Sequence, residues 1–359
     1  MMDTPYLAVD LPRLDTNLAA MAIQGAELFL DIRPHVKTHK CIELARRQIA
    51  CGAAGLTVAT IGEAEVFAAA AEVTGCTDVF IAYPLWVTAD KGARLRTLAE
   101  RISVRVGVDS VAGAQQLAGA VAGAAIEVLV EVDSGHHRTG VAPDQAGTVA
   151  AAGRDAGLDV IGVFTFPGHG YGPGDARERA AAQEVNALAR AADSLRANGI
   201  YPQVRSGGST PTAAFATSDV LTELRPGVYP FFDAQQVELG VAGFDDVALT
   251  AVTTVVHRAD RRVVVDAGSK ILGADRPGWA TGYGRVMGEP GARIIALSEH
   301  HATIEYPAEA AGRIPRLGTI IAVIPNHVCS AVNLVDELCV VGGPGGRQFW
   351  PVAARGRNS

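Results

Sequence analysis

From about residue 28 to about residue 229 the chain alternates short apolar, β-branched runs with longer Ala-, Leu-, Glu- and Arg-rich stretches. Eight runs read as strands: Leu28–Lys37, Gly55–Thr60, Asp78–Leu85, Ser103–Ser110, Ile126–Asp133, Val160–Gly168, Gln203–Gly208 and Glu223–Tyr229. The segments between them, such as Glu63–Glu72, Gly113–Ala122, Gln145–Ala156 and Arg177–Asn198, have helix-forming composition. Strands that alternate with helices imply a parallel sheet, and eight such units at this length imply a closed (β/α)8 TIM-type barrel.

After Val241 the pattern changes. Ala248–His257, Arg262–Asp266, Ala292–Ser298, Ala302–Tyr306, Thr319–Ile324 and Glu337–Val341 read as strands separated by Gly- and Pro-rich turns, with no convincing helix between them. The expected organisation is an α/β barrel over residues 11–240 followed by a mostly β domain over 241–359. The opening strand Tyr6–Asp10 is a candidate to join that second domain.

Composition adds constraints. The 359 residues are 48% hydrophobic and 19% charged, which is globular composition. A formal net charge of −7, without a basic stripe, argues against nucleic-acid binding. Asp3 and Asp10 interrupt the opening segment, so it does not read as a signal peptide, and no 18-residue apolar run suggests a membrane span. The five cysteines form no compact spacing pattern, so a reducing cytoplasm is expected. Cys41, Cys51, Cys76 and Cys339 read as buried small apolar residues.

Three places carry candidate chemistry. Lys37 ends the first predicted strand, where barrels keep catalytic groups. A Schiff-base lysine needs burial or nearby cations to lose its proton near neutral pH, and Arg33, His35, His39 and Lys40 are candidates to supply them. A surface lysine in a basic loop is the plainer alternative. The run Arg205-Ser206-Gly207-Gly208-Ser209-Thr210 follows strand seven, and Tyr229 lies at strand eight. Loops at these positions often cradle a phosphate, although a Gly-Gly pair also suits a simple turn. Finally, His327 and Cys329 follow an apolar run. In extended chain, residues two apart point the same way and could share an ion. A buried cysteine beside an unrelated histidine is the commoner arrangement.

The string Arg33-Pro34-His35-Val36-Lys37-Thr38-His39-Lys40, with Thr4-Pro5 upstream, resembles the D-threonine aldolase and D-serine dehydratase family. These are pyridoxal 5'-phosphate (PLP) enzymes of the alanine racemase fold type. The resemblance runs from Thr4 to about Gly343 and implies a barrel followed by a β domain. It makes Lys37 the Schiff-base residue and places the PLP phosphate at Gly207, Gly208, Ser209, Thr210 and Tyr229. The Arg138-Thr139-Gly140 stretch is similar to a family element that sets an arginine beside the cofactor, with pairing to Asp133 as the alternative for Arg138. His169-Gly170-Tyr171 resembles a loop that lines the cofactor pocket. Lys37, His169 and Arg138 are thus the implied catalytic residues. Gln235 and Gln236 lie either in that pocket or on the surface.

Pro325-Asn326-His327-Val328-Cys329, with Asn333 four residues on, resembles the metal motif of the dehydratase branch. It implies a divalent ion on His327 and Cys329, Zn2+ first and Mn2+ as the alternative. The aldolase branch has Asp where Cys329 stands. Leu297-Ser298-Glu299-His300-His301 is similar to a Ser-Glu-Glu-His element in which His300 replaces the second Glu. That leaves the role of His300 open, with Glu299 and His301 as candidates to support the metal or the substrate carboxylate. Asp266 matches a family strand end without an assigned role.

The implied activity is a lyase acting on D-serine, D-threonine or D-threo-3-hydroxyaspartate, giving a 2-oxo acid and ammonia. D-threonine aldolase and amino-acid racemase activities are the alternatives. The C-terminal β domain and its metal motif oppose a single-barrel PLP-binding protein. The fold type implies a homodimer.

Overall fold

The computed structural model describes residues 2–359. Its strands, in chain order, are β1 (Tyr6–Asp10), β2 (Asp31–Ile32), β3 (Leu56–Val58), β4 (Asp78–Pro84), β5 (Ser103–Val108), β6 (Ile126–Glu131), β7 (Asp159–Phe164), β8 (Val204–Gly207), β9 (Glu223–Leu224), β10 (Leu249–Ala259), β11 (Arg262–Val265), β12 (Gly284–Val286), β13 (Glu289–Leu297), β14 (Ala302–Glu305), β15 (Ile320–Pro325), β16 (Glu337–Val341) and β17 (Gln348–Pro351). They divide into two compact units. One holds residues 20–37, 42–227 and 357–359, and the other holds 1–19, 38–41 and 228–356.

In the first unit β2 to β9 form one parallel sheet in the order β2-β9-β8-β7-β6-β5-β4-β3. A parallel bridge between His35 and Thr57 joins its two ends, so the sheet closes as a barrel. The sequence pattern has its cause here. β-Branched runs fill the strands, and helices such as Ala176–Ala197 form between them. Thr60, Thr88 and Ser110 each cap a helix by accepting from a backbone N–H three residues on. Phe80 and Phe164 meet edge to face inside, with ring centroids 5.0 Å apart, beside Leu129 and Ile161.

Several strands are shorter than the apolar runs suggest. The run from Leu28 loses its start to the helix Leu11–Leu28, forms a strand only at Asp31–Ile32 and adds a single bridge at His35; Lys37 sits in the 3-10 turn Val36–Thr38. Pro34, Pro167 and Pro226 lie just beyond the ends of β2, β7 and β9. A proline has no N–H to give to a ladder, which explains the early ends.

The second unit is built on β10, whose 11 residues have three partners. Pairing with both β11 and β15 closes a ring of six strands, β10-β11-β14-β13-β12-β15. Farther along β10 comes β1, then β16 and β17, so the opening strand belongs to this sheet. Asp266 gains a structural account: it accepts from Thr4 Oγ1 at 2.5 Å, Thr253 Oγ1 at 2.5 Å and the Thr254 amide at 2.9 Å, tying the N-terminal segment to the sheet. Strands β12 and β17 escape the sequence reading because they are short and flanked by Gly and Pro. The short helices Ser269–Leu272 and Val328–Val332 also escape it.

The barrel interior contains an ionic layer. The Arg33 side chain is 2% exposed; its Nε donates to Glu223 Oε2 at 2.6 Å and its Nη atoms to the two Asp78 oxygens at 2.8 and 2.9 Å. Arg105 extends the layer to Glu127, Asp78 and Glu223. Burial works against both charges, but the Arg33 guanidinium wins at Glu223 and holds its carboxyl below the usual range. Arg33 is therefore not part of a cationic surround for Lys37, as the sequence suggested, because its charge is spent inside the barrel. Arg33→Ala should cost about 3–5 kcal/mol in urea unfolding by leaving Glu223 buried and unpaired. A loss under about 1 kcal/mol would show that the layer does not hold the barrel.

Candidate active site

At the C-terminal ends of the barrel strands one aromatic ring gathers the expected cations. Lys37 Nζ lies 5.7 Å from the centroid of the Phe166 ring, and the Arg138 guanidinium carbon lies 5.2 Å from it. The ring of His136 meets Phe166 edge-on at 5.5 Å, and Tyr171 is tilted against it at 6.2 Å. Sequence reading missed Phe166; the one available signal was its place two residues beyond β7. Arg138 is not held by Asp133. That carboxylate accepts from the Gly135 and His137 amides and pairs with His137 Nδ1 at 2.7 Å. The geometry thus puts Lys37, Arg138 and Tyr171 around one ring.

His169 lies in the 3-10 turn Gly168–Gly170. Its Nε2 is bonded to Gln183 Oε1 at 2.8 Å, while its Nδ1 is buried without a protein partner. A buried orphan of this kind marks a place for a further polar group.

The Gly-Gly segment departs from the simple picture of amides free for an anion. Gly208, with φ 78°, donates its amide to the buried Glu184 Oε1 at 2.6 Å, and the Ser209 amide donates to Thr212 Oγ1 at 3.0 Å. Gly207, Ser209 and Thr210 are buried beside them. Tyr229 is buried too, at 3% exposure, among the residues of the β unit. Burial raises Glu184 to about 7, while the Gly208 amide and Arg225 oppose that shift.

In the β unit His327 and Cys329 come together, but not as residues of a strand. His327 is extended and caps the helix Val328–Val332, and Cys329 lies in the first turn of that helix. The expected same-face alternation is therefore corrected: the strand-to-helix turn brings the two side chains into hydrogen-bond contact. Cys329 Sγ also lies 3.2 Å from Thr38 Oγ1. His327 Nδ1 is bonded to Asp275 Oδ2, a partner that sequence reading missed because it lies 52 positions away. Burial disfavours the imidazolium, but charge attraction to Cys329 as a thiolate and the hydrogen bond to Asp275 outweigh it and lift His327 to about 11. Asp233 pins the turn by accepting from the Val328 and Gln236 amides, each at 3.0 Å; burial lifts it to about 6. Gln236 and Gln235 are both buried rather than on the surface. Lys40 Nζ donates to Asn333 Oδ1 at 2.8 Å. Glu299, His300 and His301 are exposed, with Glu299 4.0 Å from Lys270. Of the four other cysteines Cys41, Cys76 and Cys339 are buried as expected, whereas Cys51 is exposed.

Residues 9–235 match the family model described as alanine racemase, N-terminal domain, and residues 248–341 match a serine dehydratase domain model. The chain belongs to the alanine racemase barrel family. Within it, the chain is 37% identical to D-threo-3-hydroxyaspartate dehydratase of Delftia sp. (strain HT23), over 97% of each chain. It is 34% identical to D-threonine aldolase of Arthrobacter sp, over 99% of this chain and 93% of that one. Among solved family structures, D-threo-3-hydroxyaspartate dehydratase with a cysteine-to-alanine change, in the metal-free form, superposes with a TM-score of 0.88 at 34% identity, over 98% of this chain and 97% of that one. A histidine-to-alanine variant gives 0.89 at 34%, over 98% and 95%. The two substituted positions lie two residues apart, as His327 and Cys329 do here. No helix among the described residues is long and apolar enough to cross a membrane.

Glu184 gives a pH test. Its folded value of about 7 lies above the ordinary 4.5, so the unfolded chain ionises first as pH rises. Its contribution to stability is fully present below about pH 4.5, falls between there and about pH 7, and is flat above. Glu184→Gln keeps an acceptor for the Gly208 amide and should flatten Tm against pH in that window. An unchanged curve would mean that Glu184 does not titrate there.

Proposed function

We propose that this chain is a PLP- and metal-dependent lyase of D-β-hydroxy amino acids that works as a dehydratase, releasing a 2-oxo acid and ammonia. The observation that carries this reading is the His327–Cys329 contact, with Asp275 on His327 Nδ1. A carboxylate on one ring nitrogen fixes the tautomer and leaves the other nitrogen for a metal. Imidazole plus thiolate favours Zn2+, with Mn2+ as the alternative. The metal-free form of the cysteine-to-alanine variant of D-threo-3-hydroxyaspartate dehydratase supports the same assignment.

In this reading the barrel holds the cofactor and the β unit holds the metal. The barrel residues fit PLP through the paired cations at Phe166 and the orphaned His169 Nδ1. Lys37 holds the cofactor, and its Nζ is the base for the Cα proton. Arg138, His169 and Tyr171 face the cofactor ring. Gly207, Gly208, Ser209, Thr210 and Tyr229 hold its phosphate, which asks the Gly208 amide to exchange Glu184 for phosphate. PLP, when bound, supplies an electron sink for Cα. A divalent ion, when bound, polarises the β-oxygen as a leaving group. His327 and Cys329 position that ion, and Asp275 keeps the proton on His327 Nδ1. A homodimer in the cytoplasm completes the reading.

D-Threonine aldolase chemistry is the second reading, favoured by the Arthrobacter relative. One experiment separates the two: protein loaded with PLP and Zn2+ or Mn2+ is given D-threonine, with D-serine in parallel. The expected products are 2-oxobutyrate and pyruvate, each with ammonia. Glycine and acetaldehyde from D-threonine would replace the dehydratase assignment by the aldolase one. Absence of any reaction would overturn the substrate class.

The metal assignment has its own check. Elemental analysis should find about one ion per chain in the wild type and almost none in Cys329→Ala or His327→Ala. Asp275→Asn should weaken metal affinity by about 10–100-fold. A full complement of metal in both ligand variants would place the ion elsewhere.

A further inference from the structure

One buried acid on the barrel has no part in the reading above. Glu131 is the last residue of β6 and is 3% exposed. Its Oε1 accepts from Thr139 Oγ1 at 3.0 Å, and its Oε2 is buried with no protein partner. It lines a small cavity together with Asp133, His136, Arg138, Thr139 and Phe166. The cavity therefore joins this carboxyl to the ring that carries Lys37 and Arg138. A buried carboxyl oxygen without a donor is costly, and strand ends in barrels are where functional groups collect.

We infer that Glu131 is a positioning residue for Arg138, its carboxylate fixing by charge the guanidinium that lies on the Phe166 ring. The inference rests on the proposed function, in which Arg138 faces the cofactor. The charged groups around Glu131 set when it acts. Burial raises its carboxyl to about 7; Thr139, Arg138 and Arg225 pull it down, and Asp109 pushes it up. His136, in the same cavity, is held below its ordinary value by burial and by Arg138 and His169. Asp133 is already committed to His137 and the Gly135 amide. Glu131 is thus the one lining carboxyl of this cavity with an oxygen left over. As pH rises through neutrality it gains the charge that holds Arg138, and below that range the guanidinium loses its anchor.

The test uses protein reconstituted with PLP and Zn2+. It reads two quantities from about pH 5.5 to about pH 8.5: kcat/KM for D-serine and the visible absorption of the bound cofactor. The proteins are wild type, E131Q, R138Q and the double variant. E131Q should lower kcat/KM about tenfold above neutral pH, in the range of directly coupled neighbours, and remove a spectral change centred near pH 7. In the R138Q background the same replacement should change either readout by less than about twofold. E131D should restore part of the titration. T139V alters only the donor to Oε1 at an exposed position and should give a smaller loss, which keeps the test usable if E131Q does not fold. Equal losses from E131Q in both backgrounds, or an unchanged spectral profile in E131Q or T139V, would overturn the positioning role. Failure of the wild type to take up PLP would instead overturn the function on which this inference rests.

Discussion

The barrel closes around the Arg33 guanidinium. Arg33 stands at the end of the two-residue strand β2, where too few backbone bonds exist to hold the strand by themselves. Its side chain reaches Glu223 in β9 and Asp78 at the start of β4, so three strands of the sheet meet through one cation. A hydrophobic residue could fill the volume, and buried ion pairs often add little net stability over such a replacement. What the pair adds is position: a buried guanidinium demands partners in fixed places, and this fixes where the segment leading to Lys37 leaves the barrel. The sequence offered Arg33 as a cation for Lys37, but its charge serves the fold.

The charges of the candidate site lie in a different layer. Lys37 and Arg138 both lie against the Phe166 ring, and Glu131 lies in the cavity that Arg138 and Phe166 line. In the β unit the logic is similar but the donors differ: a histidine, a cysteine and a distant aspartate meet where a strand turns into a short helix. Both places use backbone irregularity. Lys37 is carried by a 3-10 turn and Cys329 by a helix of five residues, so neither side chain follows the regular alternation of a strand. Short irregular segments on a rigid scaffold are where precise side-chain placement is usually found.

This explains what could be read from the sequence and what could not. The alternation of β-branched and Ala-rich stretches revealed the barrel because each strand is short, buried and bounded by turn residues. The change of pattern near Val241 marked the β unit for the same reason. Lys37, His327 and Cys329 could be picked out by motif. Phe166, Asp275 and Glu131 could not, because their meaning lies in contacts across 52 positions for Asp275 and across a cavity for Glu131. The extended-chain argument for His327 and Cys329 assumed the wrong backbone geometry, since local periodicity does not foresee a helix that starts at the histidine. Cys51 was misjudged because an apolar setting in sequence does not guarantee a buried one in space.

The two units are woven from interleaved pieces of chain. Strand β1 precedes the barrel in the chain, yet its partners β10 and β16 follow it. The last residues turn back to the barrel, where Thr60 Oγ1 donates to the Arg357 carbonyl and the Gly62 amide to that of Ser359. Neither unit, therefore, is one continuous stretch of the chain. Cutting the gene at the barrel boundary would yield two polypeptides that each lack strands or caps held by the other. A split version would have to exchange these pieces between fragments to fold.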